Sequence, residues 1–358
     1  MQIKKSHLYQ RQTTLKEFGE IGQQKLADAK VTIIGCGGLG GSVAVHLATS
    51  GVGNLILADF DVVSVSNLHR QVFYKIEDVG KPKVQVLKSY LEQINPFVEV
   101  IAKEQAASKE TIFELIEGVD IVVDCTDILP IKYLINDACI IKDTHLVYGS
   151  LYKFDGYVAS FSGNTTNLRD AFPEIPKEHI PNCAELGTLN PIVGIIGLMQ
   201  ANEVIKKLTG LGKTIENELL IYNALNNTQF KMKLQSKFSK EKIARLFQEE
   251  SYLEAYCDTT TELEISQEAF EEVLDNAEKK FELISVIEDT SQQLPFEVDD
   301  QIPLSTFDTW LKEGADASKD YIFICNRGVS SLIATQKFKE VYPTAEAKSL
   351  AGGILEYA

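Results

Sequence analysis

The sequence predicts an α/β fold: a mostly parallel sheet with helices on both faces, followed by a smaller α/β domain. Three observations predict it. Short apolar runs alternate with stretches of helical periodicity through residues 31–234. A glycine-rich segment, Gly35-Cys36-Gly37-Gly38-Leu39-Gly40-Gly41, joins the first apolar run to the first helical stretch. The charge balance then changes along the chain. Residues 1–235 carry 23 basic and 26 acidic side chains, whereas residues 236–358 carry 12 and 25.

The elements follow in order. Val31–Gly35 reads as a buried strand and Gly38–Ser50 as the helix after it. Asn54–Asp59 is a second strand. Lys81–Ile94 is helical, Val98–Ala102 extended and Thr111–Ile116 helical. Asp120–Asp124 is another strand, followed by a helix through Ile131–Ile141 and a strand at Leu146–Ser150. Pro191–Leu208 is a long helix stopped near Gly210, and Leu219–Asn223 and Gln229–Leu234 close the first domain. Ser236–Tyr256 is charged and reads as a helical connector. A second alternation has strands at Glu282–Ile287 and Tyr321–Cys325 and a helix from Ser330 to Val341. Domains are therefore expected at 1–235 and 262–358, with an acidic linker at 236–261.

Composition excludes several classes. The 358 residues carry a formal net charge of −16, so nucleic acid is not an expected partner. No apolar run approaches the roughly 20 residues of a membrane helix. The start, Met1-Gln2-Ile3-Lys4-Lys5, does not read as a signal peptide. A cytoplasmic protein without membrane contact is the expectation. Cys36, Cys125, Cys139, Cys183, Cys257 and Cys325 form no CxxC pair, which argues against disulfides and a four-thiolate zinc site.

The glycine segment carries the first chemistry. Glycines let a backbone turn tightly and approach a phosphate, and the helix behind offers free N–H groups. Gly35, Gly37, Gly38 and Gly40 are the candidate nucleotide contacts in this Rossmann-like arrangement. Asp59, 19 residues after Gly40, ends the next strand and can accept from ribose hydroxyls. Alone, this pattern favours a dinucleotide. Asp61, Asn67, Arg70, Lys83 and Asp127 favour a triphosphate instead, because cations neutralise phosphates and a carboxylate holds Mg²⁺. Arg11 lies well before the first strand. Each charge singly reads as a surface residue; their order makes the constellation.

That order closely resembles the ubiquitin-activating-like adenylyltransferases, the family of MoeB, ThiF and HesA. The matching stretches are Tyr9–Gln12, Leu15–Leu26, Val31–Ala44, Thr49–Gln71, Val79–Val84, Ile94–Val100, Val123–Asp127 and Asn182–Gly210. The resemblance implies ATP-dependent adenylation of the C-terminal Gly-Gly carboxylate of a small ubiquitin-fold sulfur carrier, with release of pyrophosphate. It implies that Asp59 holds the ribose, that Asp61, Asn67, Arg70 and Lys83 surround the phosphates, and that Asp127 holds Mg²⁺. Arg11 would reach the ATP of the neighbouring subunit in a homodimer. Cys183 matches a family thiol that bonds the carrier transiently, although some relatives work without it. Two departures stand out. Asn167 and Asp170 occupy the positions of the family's first zinc-binding CxxC, and Gln235–Lys242 holds no cysteine for the second. No structural zinc is expected, with packing supplying the local stability. Ile128 follows Asp127 where a polar residue is common.

Cys325-Asn326-Arg327-Gly328-Val329-Ser330-Ser331 follows a strand and leads into a helix. With Ile302–Leu304 and Leu350–Ile354 it resembles the active loop of rhodanese-like domains, with a thiol placed to carry a persulfide. Ser330 replaces the loop arginine, and Ser285-Val286-Ile287-Glu288 replaces an Asp-Val-Arg-Glu motif, so a degenerate module is the other reading. A cysteine desulfurase is an implied sulfur donor. The fusion most resembles the molybdopterin branch. A thiamine-thiazole carrier, or an ATP-dependent tRNA-modifying dehydratase on the same fold, are the alternatives.

Overall fold

The computed structural model describes residues 4–176, 187–250, 252, 263–275, 281–288, 290, 292–316, 318–326 and 328–354. These form two compact units, 1–252 and 253–358.

The first unit opens with α1 (Lys5–Leu8), α2 (Gln10–Thr13) and α3 (Gly19–Asp28), which the apolar pattern alone does not reveal. It continues through β1 (Lys30–Ile34), α4 (Gly38–Ser50), β2 (Asn54–Ala58), α5 (Lys83–Ile94), β3 (Glu99–Lys103), α6 (Ile112–Leu115), β4 (Ile121–Asp124) and α7 (Leu129–Ile141). Then come β5 (His145–Tyr152), β6 (Asp155–Phe161), α8 (Leu168–Ala171), α9 (Asn190–Thr209), β7 (Glu218–Asn223), β8 (Thr228–Lys233) and α10 (Lys240–Glu249). The strands form one sheet in the order β3-β2-β1-β4-β5-β6-β7-β8, parallel as far as β5 and antiparallel beyond. β6 is an addition to the sequence reading. It returns along β5 through a two-residue turn in which Lys153 takes a positive φ.

Side chains alternate across the sheet, so each face has its own core. Val31 and Ile33 join Val43, Leu47, Leu87, Leu91, Ile196 and Val204 on one side. Ile34, Val122 and Leu146 join Leu134, Ile135 and Ala138 of α7 on the other. Gly51 and Gly210, both left-handed, end α4 and α9.

The charged segment after Lys233 departs from the expected connector. Residues 237–252 belong to the first unit, because Ile243 and Phe247 of α10 are buried with Tyr252 on the α7 face. The strongly amphipathic helix buries its apolar stripe, and the charges that suggested a linker lie on its outer face.

Where the resemblance places zinc cysteines, the tie is polar. Asn167 and Asp170 cap α8, Asp170 Oδ1 accepts the N–H groups of Lys237 (2.6 Å) and Phe238 (3.1 Å), and Asn167 Nδ2 donates to the Phe238 carbonyl (3.2 Å). Hydrogen bonds, and not apolar packing alone, thus join these segments. Next to them, fully buried Arg169 donates to both oxygens of Asp137 and to Glu250. Among the described residues no cluster of three metal-binding side chains occurs, and no helix is long and apolar enough to cross a membrane.

The second unit is a parallel sheet in the order β11-β10-β12-β13-β9, from β9 (Glu264–Ile265), β10 (Phe281–Ser285), β11 (Asp300–Gln301), β12 (Asp320–Ile324) and β13 (Ala347–Leu350). Its helices are α11 (Gln267–Asp275), α12 (Leu304–Glu313) and α13 (Val329–Val341). Phe307, Phe323, Phe338, Tyr321 and Trp310 form an aromatic core.

Candidate functional site

Ligands bind beyond the carboxyl ends of strands where an open α/β sheet reverses its order. Here β1 lies between β2 and β4, and the glycine loop leaves β1 at that point. Gly35 takes a φ of +91° and receives a turn that no L side chain favours. A Cβ on Gly40 would lie 1.8 Å from the Gly35 carbonyl, so the first turn of α4 can close on the loop only with glycine there. The N–H groups of Gly38, Leu39 and Gly40 begin α4 with no acceptor among the described residues. They form a positive rim suited to an anion.

Asp59, just past β2, shapes the loop. Its Oδ2 accepts from Cys36 N at 2.6 Å and its Oδ1 from Asp61 N at 2.8 Å. Burial pushes the Asp59 carboxyl up, against the opposing pull of Lys83 and these N–H groups. Tyr74 donates to the Cys36 carbonyl at 2.6 Å from the other side. Lys83, at the start of α5, is buried, and its Nζ meets half-exposed Asp61 at 2.6 Å. The structure thus brings Asp59, Asp61 and Lys83 together around the glycine loop.

Asn67 and Arg70 lie on a short helical turn between β2 and α5. Asn67 is buried, and Arg70 donates to the Ser66 carbonyl at 2.9 Å. The turn packs on the loop, since the Arg70 carbonyl would lie 3.2 Å from a Cβ on Gly38. Gln71, on the same turn, was not singled out from the sequence. It is 4% exposed, and its Oε1 has no hydrogen-bond partner among the described residues. Its Nε2 faces Gly37. A buried carboxamide left unsatisfied costs about 1–3 kcal/mol, which points to a ligand contact.

Asp127 follows β4. It is exposed and forms no hydrogen bond or ion pair with a described residue. Arg11, on α2, is exposed and likewise forms no hydrogen bond or ion pair with a described residue, so it is not brought to the loop residues. Cys183 and Cys257 lie outside the described residues. Burial pushes the Cys36, Cys125 and Cys139 thiols up, so they remain protonated and apolar in character.

In the second unit Cys325 directly follows β12 and is buried. Its Sγ lies 3.2 Å from Ser331 Oγ, which is 2.8 Å from Ser349 Oγ. Gly328, with φ +82°, caps α13. Glu288 accepts from the Ser305 N–H and hydroxyl at the start of α12. Arg327 lies outside the described residues.

Fold and loop together define a nucleotide-binding α/β protein with Lys83, Asp59 and Asp61 gathered at one sheet reversal. The particular family is established by comparison: residues 9–243 match the ThiF family, and the chain belongs to it. It is 40% identical to a sulfur carrier protein adenylyltransferase of Thermus thermophilus over 61% of this chain and 83% of that protein. It is 32% identical to the adenylyltransferase and sulfurtransferase MOCS3 of Drosophila sechellia over 97% of this chain and 81% of that one. The fold matches E. coli MccB, solved with MccA-N7isoASN, at a TM-score of 0.59 and 23% identity over 66% of this chain and 73% of that one.

Proposed function

We propose that this chain adenylates the C-terminal carboxylate of a ubiquitin-fold sulfur carrier ending in Gly-Gly, using ATP and releasing pyrophosphate. One observation carries the reading: buried Lys83 and unpaired helix N–H groups surround a glycine loop on which the Asn67–Arg70 turn packs, with an exposed carboxylate, Asp127, after the neighbouring strand. The relative named for sulfur carrier adenylylation, matched over most of its length, supports it.

The chemistry is positioning and charge stabilisation. The carrier carboxylate is itself the nucleophile; it attacks the α-phosphate and pyrophosphate departs. Lys83, Arg70 and the α4 N–H groups take the charge of the phosphates, Asn67 and Gln71 supply amide contacts, and Asp59 accepts from the ribose. Mg²⁺ fits Asp127, since this ion binds through one or two carboxylates together with substrate phosphates. When bound, it would neutralise phosphate charge.

Arg11 is read as acting on the partner's nucleotide in a homodimer. Exposed Phe60, Val62, Val65, Val72 and Ile76 offer an apolar surface for that association. Cys183 is read as the thiol that bonds the activated carrier. The second unit is read as a rhodanese-like module in which Cys325 receives sulfur from a donor such as a cysteine desulfurase.

The test is ATP–pyrophosphate exchange. Exchange is expected only when a Gly-Gly carrier is present, with a molybdopterin-type carrier preferred over a thiazole-type one. Exchange with neither removes the proposal.

A further inference from the structure

Beneath the nucleotide site lies a second buried charge pair. Lys132 of α7 is 3% exposed. Its Nζ donates to Asp124 Oδ2 at 3.1 Å and to the Gly149 carbonyl at 2.7 Å, and lies 5.1 Å from the centre of the Tyr148 ring. Asp124, the last residue of β4, is fully buried. Its other oxygen accepts from the Thr126 N–H at 3.0 Å and the Thr126 hydroxyl at 2.7 Å. Gln200 of α9, also fully buried, donates to the Asp124 main-chain carbonyl at 2.8 Å. The turn held by these bonds, Cys125-Thr126-Asp127, ends on the exposed carboxylate.

A buried ion pair is a poor source of stability, because apolar residues of the same volume often do as well. It is a good means of holding one geometry, because neither charge can turn away without losing its partner in a low-dielectric interior. The geometry held here is that of the turn presenting Asp127. Lys132 also ties the end of β4 to β5 through Gly149, so the turn rests on two strands. We propose that Lys132, acting through Asp124, is a positioning residue for Asp127 and sets how strongly the site takes a magnesium-bound nucleotide.

This inference rests on the reading that Asp127 faces the nucleotide. Three forms of the full chain test it: Lys132→Met, Lys132→Arg, and the double variant Lys132→Met with Asp124→Asn, which removes both charges while keeping their volumes. Thermal unfolding without nucleotide identifies the folded variants. ATP affinity is then measured with Mg²⁺ and with EDTA, and carrier-dependent exchange gives kcat and KM. The double variant should lose about tenfold in ATP affinity with Mg²⁺, the size typical of outer-shell partners of a metal ligand, and little with EDTA. Its kcat should fall while KM for the carrier holds. Lys132→Arg should restore most of the Mg²⁺ dependence, since it keeps the charge.

A folded double variant with the unaltered chain's Mg²⁺ dependence overturns the proposal. Equal losses with Mg²⁺ and EDTA also overturn it, because they indicate a general distortion. Failure of the unaltered chain to bind ATP at all removes the site reading itself, and this inference with it.

Discussion

Arg169→Met tests how the end of the first unit is fastened. The guanidinium is fully buried; its Nε lies 3.0 Å from each Asp137 oxygen, and its Nη2 lies 2.7 Å from Asp137 and 2.6 Å from Glu250. Asp137 is itself fully buried and, among the described residues, would keep Tyr252, at 2.5 Å, and Asn136. Burial already pushes the Asp137 carboxyl up, and Arg169 is the main group holding it down. Removing one partner of a buried pair costs about 3–5 kcal/mol. Glu250 is 26% exposed, can turn to water, and adds little. For a unit of this size, 1 kcal/mol moves Tm by about 2–4 °C, so the loss should be about 6–20 °C. Differential scanning calorimetry measures the shift. Adding Asp137→Asn should recover part of it, because the uncompensated charge is gone. A single variant that unfolds within about 2 °C of the unaltered chain would refute the reasoning.

Other predictions follow the same logic. Asp127→Ala should abolish carrier-dependent exchange while leaving Tm in the absence of nucleotide unchanged, because the side chain is exposed and unbonded. Gln71→Met should leave Tm without nucleotide unchanged or raised, yet reduce the stabilisation that ATP confers; a lowered Tm with intact ATP stabilisation would make Gln71 structural. Gly40→Ala should cost more than about 3 kcal/mol in chemical denaturation, since its Cβ meets a backbone carbonyl and nothing flexible. His145 is held down to about 4, chiefly by burial and then by Lys207, against the pull of Glu216. Its folded value lies below its unfolded one, so its contribution is present above about pH 6.5 and is lost as pH falls toward 4. That contribution is about 3 kcal/mol, and His145→Gln should flatten the stability profile across this window, read by denaturation at stepped pH.

The parts of the fold that were legible in the sequence share a cause. β1, α4 and α9 are buried on known periods and bounded by glycine, so pattern and breaker agree. β6 was not legible, because Asp155-Gly156-Tyr157 gives no alternation, and its place depends on pairing with β5. Asn67, Arg70 and Lys83 were legible as residue types in order. Gln71 was not, because an amide announces itself only when burial leaves it without a partner. Lys132 was invisible for the opposite reason: a single lysine inside an apolar helix gives no hint that it bridges two strands.

The segment after β8 shows why charge misled the boundary. Residues 249–300 hold 17 acidic side chains, and a run of like charges reads as a solvated connector. Yet Glu250 is one of those acids, and it is bound by Arg169. Asp170 and Asn167 fasten the same stretch a few residues earlier, by accepting from and donating to its backbone. A tie made from backbone N–H groups places no demand on residue type at Lys237 and Phe238, so it leaves no motif. A tie made from cysteines would have been read at once. The boundary therefore moves from residue 235 to residue 252, and the acidic excess divides between a packed helix end and the second unit. The first unit runs on to Tyr252, whose hydroxyl donates to Asp137.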